Sequence, residues 1–128
     1  GFYQDANSGY GWLTHRLRAA VRVVVDTGIH SQGWDRQTAL DYLATHTTLP
    51  AHRMAKEINN LSADPGQALA GWAGATKIAG LRREAARQLG DNFDIREFHD
   101  TILRHGPQPL ESLSQAVADY IKQKLKNS

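Results

Sequence analysis

The run Arg16-Leu-Arg-Ala-Ala-Val-Arg-Val-Val-Val-Asp-Thr-Gly-Ile-His30, closed by Gly33-Trp34, constrains this chain more than any other stretch. Arg18, Arg22 and Asp26 recur every four residues, so on a helix they stack along a single face. Leu13, Leu17, Val21 and Val24 recur at helical spacing and predict one apolar stripe beside them. Two neighbouring arginines repel unless an anion sits between or beyond them, and Asp26 supplies only one charge. Gly28 offers a positive-φ exit from a helix spanning about Gly11 to Thr27, which sets His30 just past its end. The Val23-Val-Val25 triplet favours strand and is the one local signal against a helix here.

Further helices follow in order. Asp35 is a natural N-cap for a second helix whose inner face is Ala39, Leu40, Tyr42 and Leu43. Pro50 opens a third, with Met54, Ile58 and Leu61 as its stripe. After the Asp64-Pro65-Gly66 turn, a fourth helix runs from Gln67 to about Leu89. Its Ala68, Gly71, Ala75 and Ala79, with Gly74 nearby, imply close backbone approach, because interior glycines cost about 1 kcal/mol each against alanine. Asp94-Ile-Arg-Glu97 has capping-box spacing ahead of a helix containing Phe98 and Ile102. That helix stops at Gly106-Pro107, and a last one covers about Leu110 to Lys126 with Leu110, Leu113, Val117, Tyr120 and Ile121 inward. The expected fold class is all-α, about six helices in an irregular bundle. Residues 1–10 are expected to be a loop or cut end and residues 11–128 a single helical domain.

Composition narrows the function classes. The 128 residues hold no cysteine, which excludes disulfides and thiolate metal ligands. The longest apolar run is Val23 to Val25, so no membrane span is expected. The net charge of +2 is mild and its signs are interspersed. Lys122, Lys124 and Lys126 complement a helix C-terminus, and no aromatic residues interleave with them, which argues against nucleic acid. The six histidines do not form a metal pair: His46 and His52 are six apart across a proline, and His99 and His105 are six apart, where a helical site needs i and i+4. No metal is expected in this segment, and on its own the chain should not be a catalyst.

The run Arg18-Ala-x-x-Arg22-x-Val-x-Asp26-Thr-Gly-Ile-His30-x-x-Gly33-Trp34 resembles a signature near the C-terminal end of the bacterial domain-of-unknown-function family 885. The resemblance extends from about Gly11 to Val117 through Ala39-Leu-Asp-Tyr-Leu43, Glu57, Pro65-Gly-Gln-Ala68, Leu81-Arg82, Leu89-Gly90, Phe93-Asp94, Phe98-His-Asp100, Gly106 and Pro109-Leu110. Members of that family are several times longer, and their helical fold and upstream His-Glu-x-x-His motif look like those of zinc metallopeptidases. The resemblance therefore implies a C-terminal segment that completes the substrate cleft of a zinc-dependent peptidase-like hydrolase. Zinc, its ligands and the general base would lie in the upstream part, and the substrate would be peptide-like. In that setting His30 is a candidate catalytic oxyanion donor, Arg18 and Arg22 candidate clamps for a substrate anion, and Gln67 a candidate donor to substrate backbone. His99, in mid-helix, reads as structural.

The match has gaps. Asn60-Leu61 stands where the family usually carries Arg-Tyr, and Gly71 stands where a tyrosine is common. If that tyrosine donates to an oxyanion, its loss implies altered specificity or reduced activity. The alternative is a free-standing helical interaction module that docks a partner helix along Ala68, Gly71 and Ala75.

Overall fold

A computed structural model describes residues 5–127. Six α-helices occupy them: α1 (Ala6–Gln32), α2 (Arg36–His46), α3 (Ala51–Ala63), α4 (Gln67–Leu89), α5 (Ile95–Leu103) and α6 (Leu110–Lys126). A single 3-10 turn, Gly90–Asn92, follows α4, and no strand occurs among the described residues. The expected all-α class is what the chain adopts. The helices divide into two compact units, residues 1–73 and 74–128, with the division falling inside α4.

In the first unit α1, α2 and α3 pack pairwise. Its core is Val21 and Val25 from α1, Ala39 and Leu43 from α2, and Ile58 and Leu61 from α3. Met54 lies against this cluster as a filler, together with Ile29, Trp34 and Tyr42. In the second unit Ala85 and Leu89 from α4, Phe98 from α5, and Val117 and Ile121 from α6 form a separate core. The caps expected at Asp35 and Asp94 are present: Asp35 accepts from Thr38 N at 2.8 Å, and Asp94 accepts from Arg96 N at 2.7 Å and Glu97 N at 3.3 Å. Glu97 does not complete a capping box. Its carboxylate pairs with Lys124 of α6 at 2.8 Å, tying the two helices together.

α1 corrects the sequence reading in three ways. Of the predicted loop, residues 1–4 lie outside the described residues, while Ala6 to Tyr10 are helical, nucleated by Asp5, which accepts from Ser8 N at 2.8 Å. Gly28 does not end the helix. It is buried within it, and a Cβ there would fall within 3.0 Å of three ring atoms of Trp34. The exit is Gly33, at φ 68°, and Trp34 N returns to the Gly28 carbonyl at 2.9 Å. The apolar stripe also turns: Val21 and Val25 are buried, while Leu13, Leu17 and Val24 are exposed. The Val23-Val-Val25 strand preference yields to the tertiary packing of Val25.

The small residues of α4 are a fourth correction. A Cβ added at Gly71 or Gly74 would have no neighbouring atom within 4 Å, so neither glycine serves a close backbone approach among the described residues. Leu110, expected inward on α6, is 40% exposed, and the inner face is Leu113, Val117 and Ile121.

Two expected outcomes follow. Gly28→Ala destabilises by about 1–3 kcal/mol through overpacking against Trp34, whereas Gly71→Ala stabilises by about 0.5–1 kcal/mol through helix propensity. Denaturant unfolding of the two variants should therefore shift in opposite directions. The Asp94 carboxyl is held below its usual 3.8 by the N–H groups of Arg96 and Glu97. A depressed pKa contributes stability that is present above the unfolded value and is lost as pH falls through the folded one. Thermal unfolding followed from ~pH 5 to ~pH 2 should fall less steeply for Asp94→Asn, which keeps the cap but does not titrate.

Candidate functional site

The candidate site lies within the first unit and is built on the charged face of α1. Arg18, Arg22, Asp26 and His30 succeed one another at four-residue intervals, so their side chains leave the helix on one side. The anion demanded by the two arginines is Glu57 of α3. Arg18 Nη2 lies 2.6 Å from Glu57 Oε2, and Arg22 Nε lies 2.8 Å from Oε1. Only the first of these is a hydrogen bond. The second is an ion contact outside hydrogen-bond geometry, and among the described residues Arg22 Nε, Arg18 Nε and Glu57 Oε1 are buried without a hydrogen-bond partner.

Glu57 is 7% exposed in its side chain, against 40% for Arg18 and 29% for Arg22. Two cations thus flank one buried carboxylate and keep part of their surface toward solvent. Taking Glu57 into a low-dielectric interior is unfavourable unless opposite charge accompanies it. The arginines supply that charge and leave the triad one positive charge in excess.

Asp26 does not serve as the counter-ion of this pair. Its carboxylate, 2% exposed, accepts from Gly66 N at 2.9 Å and from Ala68 N at 3.1 Å. Ala68 lies in the first turn of α4 and Gly66 immediately precedes it, at a helix start where backbone N–H groups have no intrahelical acceptor and the helix dipole favours an anion. Asp26 therefore fixes the Pro65-Gly66-Gln67-Ala68 corner onto α1. Gly66, at φ 82°, lets the chain make that corner.

The corner sets Gln67 beside the arginines. Gln67 Oε1 accepts from Arg22 Nη2 at 3.2 Å, and its Nε2 donates to Asp64 Oδ2 at 2.9 Å. His30 sits in the last turn of α1, not beyond its end, because the helix runs on to Gln32. Its Nε2 is 3.0 Å from the carbonyl of Leu61 and 3.8 Å from Asp26 Oδ1. A carbonyl only accepts, so Nε2 carries the hydrogen and the neutral ring is left with Nδ1 as an acceptor.

The structure thus gathers Arg18 and Arg22 on Glu57, with Gln67 on Arg22 and His30 one step along on Asp26 and Leu61. The spacing argument missed the role of Glu57. Its trace was present: Glu57 falls between Met54 and Leu61 on the inward stripe of α3, where a carboxylate must be paired. Among the described residues no three His, Cys, Asp or Glu side chains come together as a metal site. The cluster does not fit a zinc centre, and what it can do chemically is hold an anion.

The model of a bacterial protein family described as of unknown function, DUF885, matches residues 1–117. A crystal structure described as that of "the putative lipoprotein from Colwellia psychrerythraea" is similar at 40% identity and a TM-score of 0.88, over 91% of this chain and 20% of that one. The chain therefore spans about a fifth of the length of that protein. No curated protein matches it.

Asp26→Ala should destabilise the first unit by about 3 kcal/mol, since two part-buried N–H groups lose a charged acceptor. Hydrogen exchange should show the amides of Gly66 and Ala68 losing protection before those of the second unit; unchanged protection at both would remove Asp26 from this role.

Proposed function

Because this chain belongs to the DUF885 family of bacterial proteins of unknown function, we propose that it is the C-terminal segment of a longer zinc-dependent, peptidase-like hydrolase, where it forms part of the substrate cleft. The observation that carries the proposal is the Arg18–Glu57–Arg22 triad, with its one excess positive charge and its partly exposed guanidinium groups. A buried carboxylate holds the two forks in place before any ligand arrives, so their donors are pre-organised for a carboxylate of a peptide-like substrate. Zinc, its ligands and the general base belong to the upstream part of the longer chain. Gln67 acts in this reading by orienting Arg22, since both ends of its amide are engaged. His30, with Nε2 committed to Leu61, donates to an oxyanion only as imidazolium, through Nδ1. Gly71 leaves the cleft without the tyrosine hydroxyl common in the family, which implies slower turnover or a different substrate preference.

The test begins with the native polypeptide detected by antibody. A band several times larger than 14.2 kDa supports the proposal, while a band at that size makes this an independent helical interaction module. On the longer protein, zinc should be measurable and peptide hydrolysis should disappear on its removal. Arg18→Gln should raise KM for a peptide with a free carboxylate at least about tenfold, one lost charged contact, and leave kcat nearly unchanged. His30→Ala should lower turnover at least about tenfold. Wild-type kinetics in both variants would take these residues out of the cleft.

A further inference from the structure

α1 carries a second apolar face that its own unit does not cover. Tyr10, Leu13 and Leu17 are 66%, 58% and 52% exposed, and Val24 continues their line through Ala20. The intervals 10, 13, 17, 20 and 24 alternate between three and four residues, the spacing of an a/d seam that packs against another helix. Val21 and Val25, committed to the core, each follow a seam position by one residue, about 100° around the helix from Ala20 and Val24, which places the seam beside the core face. Along its flank the seam borders a groove of about 560 Å³, walled by Leu13 and Leu17 on one side and by Thr47 and Leu49 on the other. Single exposed apolar residues are ordinary, but a contiguous row with a groove beside it marks a surface built to be covered.

The occupant follows from the periodicity and from chain length. A seam with alternating three- and four-residue spacing is complementary to a helix, and all the described regular structure here is helical. A protein 40% identical over 91% of this chain is matched over only 20% of its own length, so in that protein most of the polypeptide lies outside the matching segment. We infer that the Tyr10–Leu13–Leu17–Val24 seam docks an amphipathic helix from the remainder of the same, longer polypeptide. The inference shares with the proposed function the premise of a longer chain, and it does not depend on zinc or hydrolysis.

Cysteine accessibility tests it, because these residues contain no native cysteine. Leu13→Cys and Leu17→Cys, each in the native longer protein, should react with a maleimide at least about tenfold more slowly than His15→Cys, with protection lost in denaturant, as expected where reaction requires local opening. The modified sites are assigned by mass spectrometry. Hydroxyl-radical footprinting of the unsubstituted protein is the companion measurement, and Tyr10, Leu13 and Leu17 should be protected there even if a cysteine variant folds poorly. Labelling of Leu13→Cys and Leu17→Cys as fast as that of His15→Cys, or full footprinting at all three side chains, overturns the inference. So does a native polypeptide of 14.2 kDa, which has no further helix to offer. Protection that persists in a protein without zinc or peptidase activity upholds the docked helix while the hydrolase reading fails.

Discussion

The first unit depends on bringing two carboxylates inside a helical core. Asp26 and Glu57 are the buried charged residues of the described chain, and each is stabilised differently. Asp26 meets the backbone N–H groups that open α4, a fixed array of dipoles. Glu57 meets two guanidinium cations on α1. Both anchors start from one face of one helix, so α1 orients α3 and the start of α4 together. A buried charge left unpaired costs several kcal/mol, which makes these contacts strongly selective for one arrangement of the three segments.

That arrangement also orders the arginine face of α1. Arginines on a surface helix normally sample many rotamers, and ordering them on a ligand costs entropy. Here Glu57 orders them in advance, and Gln67 adds a contact to Arg22 from the corner that Asp26 fixes. The polar residues of the cluster thus form one chain of dependence from Asp26 through the α4 corner and Gln67 to Arg22, Glu57 and Arg18. His30 closes the opposite end by linking α1 to the last turn of α3 at Leu61.

The second unit works by simpler means. Its helices α5 and α6 share an apolar core around Phe98, and the Glu97–Lys124 pair lies on the exposed side. Exposed pairs of this kind contribute little, so the core carries the packing. The polar contacts there cap and align helices and do not enclose charge.

The sequence by itself determined the helices and most of their ends. Period-3.6 apolar patterns, Asp35 and Asp94 as caps, and the Pro65-Gly66 corner act within a few residues, so their outcome is readable locally. It also marked Arg18, Arg22 and Asp26 as a face needing an anion. Only the tertiary structure decided which anion answers. Glu57 lies 39 residues from Arg18, and nothing local distinguishes it from a solvated glutamate except its place on the inward stripe of α3. The same holds for Gly28, whose missing Cβ reads as a helix exit until Trp34 packs against it, and for Val25 displacing Val24 from the core. In each case the deciding contact joins segments whose separation in sequence carries no periodic signal, and burial, a property of the assembled helices, chooses among locally equivalent alternatives.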